Sequence, residues 1–276
     1  MSEGRFWKIV RLIGGIILIV SAVFPIYWML LTSLLPTSEL FLKTPRFLPF
    51  ITDKLSYATV LSKVPIFSWL VNSITVSVGT TVLSLGLAIF GAYGLSRFKF
   101  RGKGLLGFMV FVTQMLPEAL ILVPFYTMFI VLGIINNFAA LIIANTAFSM
   151  PVLVWILKAA IDAVPLEIEE AARIDGCSYL DTHLAVVLPV IAPSLAAAAI
   201  TSFFYAWNEY LFAATLVSDE ALRTTAVGLS SFIGEMATPL DSVMASAILF
   251  TLPAVLFYLV SQRAVVSGMT AGAVKG

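Results

Sequence analysis

The residue types that carry most protein chemistry are scarce in this chain. It holds one histidine, His183, and one cysteine, Cys177. A lone cysteine forms neither an internal disulfide nor a cysteine-based zinc site, and one imidazole does not make a metal cage. A membrane-embedded enzyme would need a convergent nucleophile–base pair or a set of metal ligands, and this inventory supplies neither. A nucleotide-hydrolysing loop of the form G-x-x-x-x-G-K-[ST] is also missing. Gly102-Lys103 is followed by Gly104, and Arg97 stands where the first glycine should be. No catalytic residue, no metal site and no resident cofactor are expected. Two features remain: one acidic segment with helical caps, and a few isolated polar residues inside long apolar runs.

The acidic segment is Val164–Gly176. Pro165 suits the first position of a helix, and Glu167, Glu169 and Glu170 lie in the first turns, where the helix dipole favours negative charge. Glu169 and Arg173 are four apart, the spacing of a helical ion pair. Gly176 suits the left-handed stop. Leu166, Ile168, Ala171, Ala172 and Ile174 are apolar but too few to cross a membrane. The spacing predicts a short capped helix. From shape alone it either rests on a membrane surface or fits a groove on a soluble partner, with Ala171 and Ala172 allowing close approach beside the Glu170 carboxylate.

The isolated polar residues are Gln114, Glu118, Asn145, Asn208 and Glu209. Polar groups at membrane depth are costly and face a cavity or a partner helix. They are candidates for a solute pathway; for Glu118 and Glu209 the ordinary reading is a hydrogen bond between helices or a site near the outer interface. Pro117 and Pro124 either kink a span or expose its carbonyls. The aromatics Phe203, Phe204, Tyr205, Trp207 and Tyr210 pack, sit in an interface belt or stack on a ring-shaped solute. No Lys or Arg lies deep in an apolar run, which favours a neutral solute over an anion.

The elements that must position these residues follow from composition. Of the 276 residues, 60% are hydrophobic and 11% charged. A soluble domain is about half apolar and about a quarter charged, so lipid is the solvent that fits. The net charge of +1 gives no bulk attraction to nucleic acid. A span needs roughly 20 apolar residues. The apolar runs predict an all-α membrane protein with six transmembrane helices, at about 12–35, 69–95, 105–131, 138–157, 184–216 and 242–262. They form one transmembrane domain over 1–276, with a connecting loop at 158–183 between spans four and five. The first run is too long for the core of a cleaved signal and reads as a retained span. With both termini inside, eleven of the 16 basic residues fall on the cytoplasmic side, which sets the expected orientation. The loop helix is then cytoplasmic.

The loop also carries a resemblance. Glu170-Ala171-Ala172, three residues, Gly176, nine residues, Val186, one residue, then Leu188-Pro189 resembles the coupling motif of bacterial ABC importer permeases, with Val186 in place of isoleucine as the one departure. Arg97-Phe98-Lys99-Phe100-Arg101-Gly102-Lys103, Trp207-Asn208-Glu209-Tyr210-Leu211 and the ending from Gln262 are similar to the carbohydrate-uptake, maltose-type second permease subunit. The resemblance covers essentially the whole chain. It implies a coupling helix docked on one of two ATP-binding subunits through Leu166, Glu169, Glu170, Ala171, Ala172, Arg173, Asp175, Gly176, Leu188 and Pro189. It further implies a second homologous permease subunit, an extracytoplasmic solute-binding protein and a sugar substrate, with ATP and Mg used by the partner ATPases. Alternating access in the cytoplasmic membrane is the mechanism implied, with Leu188-Pro189 beginning the fifth span. A permease for a non-sugar solute such as a glycerol phosphoester is the alternative within the same family. An ATP-independent secondary transporter is the alternative outside it.

Overall fold

A computed structural model describes residues 5–42, 44, 46–48, 55–232 and 240–273. Lys43, Lys54 and Lys275, three of the basic residues counted above, and the end of the chain from 274 lie outside the described residues. So do the side chains of Arg5 and Arg263. The described elements are helices and turns. The chain divides into two compact units, one of residues 1–66 with 229–253, the other of residues 67–228 with 254–276.

The first unit holds α1 (Arg5–Leu34), α2 (Thr37–Leu40), α3 (Leu55–Lys63) and the first part of the carboxyl-terminal helix. Helix α1 starts earlier than the apolar run because Arg5, Lys8 and Arg11 continue the same helix. It ends where Pro36 cannot extend it. Its apolar side chains, Phe6 to Phe24, are uncovered all round, as a lipid-facing span requires. Ser33 and Tyr57 hydroxyls meet at 2.8 Å, and Ser56 donates to Asp241 Oδ2 at 2.6 Å, so polar contacts tie α1, α3 and the start of the last helix.

The second unit contains α4 (Ile66–Arg97, from Phe67), α5 (Lys103–Val112), α6 (Glu118–Val131), α7 (Phe138–Asp162) and α8 (Leu166–Ile174). It continues with α9 (Tyr179–Asp181), a π-helical stretch Thr182–Val187, α10 (Leu188–Val190) and α11 (Ala192–Asn208). Then come α12 (Leu211–Leu216), α13 (Thr225–Ser230) and the later part of α14 (Leu240–Ala273). Helices α4 and α7 run side by side in the same direction. Ser84 meets Ser149 at 2.6 Å, Ser96 donates to Asp162 Oδ1 at 2.5 Å, and Val154 lies against Gly91. Buried Ala88, Ala92, Leu153, Leu157 and Ile161 fill their contact, and α11 packs on α7 through Ala198. The small residues let the helix backbones approach closely.

Two expected spans are broken. The stretch predicted as one helix over 105–131 is α5, a 3₁₀ turn Thr113–Met115 and α6, bent by 100°. Pro117 causes the break: it removes a donor, and it holds Leu116 in an extended conformation at ψ 123°. The stretch predicted as one helix over 184–216 is bent by 83° at Ile191. Pro193 has no N–H for the Pro189 carbonyl, and the π-helical stretch before it has already shifted the pairing by one residue, with the Leu188 N–H donating to the His183 carbonyl. Leu188-Pro189 therefore sits just before a bend inside this span and does not begin it. The span breaks again at Glu209–Tyr210 before α12. Four described helices are individually long and apolar enough to cross a membrane, and counting each bent pair as one span gives up to six.

Candidate functional site

The acidic loop folds as the nine-residue helix α8. Pro165 is its N-cap, extended at ψ 135°, one position earlier than predicted. At the other end Gly176 has φ +94°, its N–H donates to the Arg173 carbonyl at 3.1 Å, and the Cys177 N–H donates to the Ala172 carbonyl at 3.0 Å. These two bonds form a Schellman stop, which satisfies carbonyls that the helix end leaves open. Ser178 and Asp181 then make a reciprocal capping box that starts the next helix at once.

The two faces of α8 have different chemistry. Glu169 and Ala172 are buried, Glu169 at 6% exposure, and pack toward the π-helical stretch. Leu166, Glu170 and Ile174, at i, i+4 and i+8, form an uncovered stripe, with Ile174 at 86% exposure and Ala171 beside it. Apolar side chains on an uncovered cap-to-cap helix mark a contact surface.

Glu169 does not pair with Arg173, as its spacing suggested. Its Oε1 lies 2.6 Å from Arg97 Nε, at the end of α4, and its Oε2 accepts from the Tyr93 hydroxyl at 2.9 Å. Arg97 Nη2 also donates to the Ile161 and Val164 carbonyls, at 2.8 and 2.9 Å. One guanidinium thus ties α4, the end of α7 and α8 together. A buried carboxylate held by both Arg97 and Tyr93 outcompetes a surface i,i+4 pair, which contributes only about 0.2–0.5 kcal/mol. Arg173 instead places its guanidinium 3.9 Å above the Tyr179 ring. Tyr179 touches Phe98, Phe98 touches Tyr93, and Tyr93 stacks on His183 with centroids 4.1 Å apart. His183 is buried packing behind α8.

Of the ten residues named for docking, Leu166, Glu170, Ala171, Arg173, Asp175 and Gly176 are uncovered. Glu169 and Ala172 face inward, Leu188 packs on the core, and Pro189 lies outside it near the bend. Sequence reasoning missed Arg97 and Tyr93 as anchors. Arg97 was visible only as one charge in a basic cluster, and its partners are 64 to 72 residues away.

The polar residues inside the apolar runs separate just as clearly. Gln114 and Glu118 line a cavity of about 120 Å³ at the α5–α6 bend, together with Ser149, Thr201 and Tyr205. Gln114 Nε2 donates to the Phe148 carbonyl at 3.0 Å, and the Tyr205 hydroxyl donates to Glu118 Oε1 at 2.7 Å. The other three candidates do not line it. Asn145 is buried within the packed face of α7. Asn208 donates to the Phe204 carbonyl of its own helix at 2.8 Å. Glu209 accepts from the Phe212 and Ala213 N–H groups at 2.6 and 3.1 Å, so its carboxylate starts α12. Phe203 stacks on Phe257 at 4.1 Å and on Trp207 at 5.6 Å, which makes these aromatics packing groups.

Residues 84–271 match the model of the family described as binding-protein-dependent transport system inner membrane component. The chain is 33% identical over 269 residues to the sulfoquinovosyl glycerol transport system permease protein SmoH of Agrobacterium fabrum, covering 98% of this chain and 94% of that protein. It is also 33% identical to the trehalose/maltose transport system permease protein MalG of Thermococcus litoralis, over the full length of both. The fold superposes on a chain of a bacterial ABC transporter involved in the import of the acidic polysaccharide alginate, with a TM-score of 0.80 and 23% identity over 95% of this chain and 99% of that one. The chain belongs to the binding-protein-dependent transport system inner membrane component family and is a multi-pass membrane permease, not an enzyme.

Proposed function

We propose that this permease translocates a sugar by alternating access, driven by a pair of separate ATP-binding subunits on which α8 docks. The observation that carries the reading is the division of α8. Its Leu166–Glu170–Ile174 stripe is uncovered, while Glu169 on the opposite face is fixed to Arg97. A helix held this way transmits a push as a rigid-body movement of α4 and α7. ATP and Mg²⁺ act in the partner ATPases. A second homologous permease completes the membrane pathway, and an extracytoplasmic binding protein delivers the solute. A structure similar in fold, with a TM-score of 0.69, is a complex with an alginate pentasaccharide-bound periplasmic protein. The positive-inside bias of the sequence supports a cytoplasmic position for α8 and both termini. A sugar is supported by the names of the relatives, which include trehalose/maltose and diacetylchitobiose systems.

The test is cysteine cross-linking from Ala171→Cys to a co-expressed ATPase subunit, together with labelled-sugar uptake into proteoliposomes. The expected result is a specific cross-link and uptake only with internal ATP. Uptake by the permease alone in ATP-free vesicles overturns the proposal.

A further inference from the structure

The cavity at the α5–α6 bend lies at mid-membrane depth by two independent counts. Gln114 is eleven residues beyond Lys103, which is about 16 Å of helix, and Phe148 is ten residues beyond Phe138, about 15 Å. The first count starts at one end of the spans and the second at the other. Each covers half of a hydrocarbon core of about 30 Å. The Gln114–Phe148 hydrogen bond joins the two end points. Irregular backbone at that depth, here Thr113–Pro117, is tolerated only inside protein or along a water-filled path.

The lining is rich in acceptors. Glu118 offers a carboxylate, Gln114 offers its amide oxygen beside the one N–H that the Phe148 carbonyl leaves over, and Thr201 already donates its hydroxyl to the Ala197 carbonyl. Tyr205 donates to Glu118 and keeps its lone pairs. No Lys, Arg or His lines the cavity. Acceptors concentrated around one carboxylate match a ligand rich in hydroxyl donors, and they repel an anion.

We propose that Glu118, with Gln114, Thr201 and Tyr205, is a solute subsite within this permease, and that it takes the hydroxyl groups of an uncharged sugar and rejects acidic ones. The inference rests on the sugar reading above and deepens it. It separates this chain from the alginate importer of similar fold, whose cargo is an acidic polysaccharide. The subsite keeps the sugar from slipping back while the pathway changes its open side.

The test uses the complete importer in proteoliposomes, with labelled trehalose and maltose as probes. The readout is sugar translocated per ATP hydrolysed, which depends on the permease and not on capture by the binding protein. Glu118→Gln should lower that ratio about tenfold, the effect of losing one charge-assisted hydrogen bond. An aryl-azide derivative of the transported sugar should label the wild-type permease on segments containing Glu118 or Phe148–Leu153. An unchanged ratio, or labelling confined to other segments, overturns the subsite while leaving the sugar reading intact. Wild-type importer that moves neither probe nor any other neutral sugar overturns both. If Glu118→Gln fails to assemble, the labelling of wild type decides.

Discussion

Arg97 and Glu169 approach to 2.6 Å, although 72 residues separate them, and the next carboxylate in the chain, Glu170, points the other way. Adjacent glutamates on one helix thus do different work. Glu169 holds α8 to the neighbouring helices, and Glu170 lies on the uncovered face proposed to meet an ATP-binding subunit.

Substituting each in turn separates the two roles. Glu169→Ala leaves the part-buried Arg97 without its carboxylate and with only the two carbonyl bonds, which loosens α8 locally. Hydrogen exchange should accelerate across residues 166–174, and sugar-stimulated ATPase activity should fall. Glu170→Ala should lower the same ATPase activity with no change in exchange. Equal exchange rates in the two variants would contradict the division of faces.

Arg97→Lys should behave as a partial loss. A lysine carries its three donors on one point and cannot stand at both the Nε position that reaches the carboxylate and the Nη2 position that reaches the carbonyls of Ile161 and Val164. For the same reason, the double swap Arg97→Glu with Glu169→Arg should not restore coupling. Full recovery of transport in the swap would show that the two carbonyl bonds contribute nothing.

Gly176→Val forces a β-branched residue to φ +94°, at a cost of about 1–3 kcal/mol. The Schellman stop should open, and cross-linking from Ala171→Cys to the ATPase should weaken. Gly176→Asn, which tolerates the left-handed region, should retain most of it.

At Gly228 a Cβ would run into the Trp69 ring, so Gly228→Ala should lower the melting temperature of the purified permease through overpacking of about 1–3 kcal/mol. Trp69→Leu should relieve the clash in the double variant. A wild-type melting curve for Gly228→Ala alone would refute that packing.

Local signals were legible in the sequence. The apolar runs mark the helices, α8 lies where its caps indicate, and Gly176 is left-handed as a stop residue should be. Long-range pairing was not legible. Nothing near Arg97 announces Ile161, Val164 or Glu169. Glu169 and Arg173 carried a plausible local alternative that lost to a buried partner. Pro117 was legible as a possible kink, but the size of its bend and the bend at Ile191 were hidden because hydropathy is blind to direction: a chain can stay apolar through a right-angle turn. Glu118 and Glu209 show the same gap. Both are acids among apolar neighbours, yet one lines a cavity and the other caps a helix.

The triple duty of Arg97 also orders biogenesis. The chain emerges from its amino end, so the guanidinium at the close of α4 exists before any of its acceptors on Ile161, Val164 and Glu169 has been made. Until then it must stay in water or at the headgroups. The contact that joins α4, α7 and α8 therefore cannot close until residue 169 has been made.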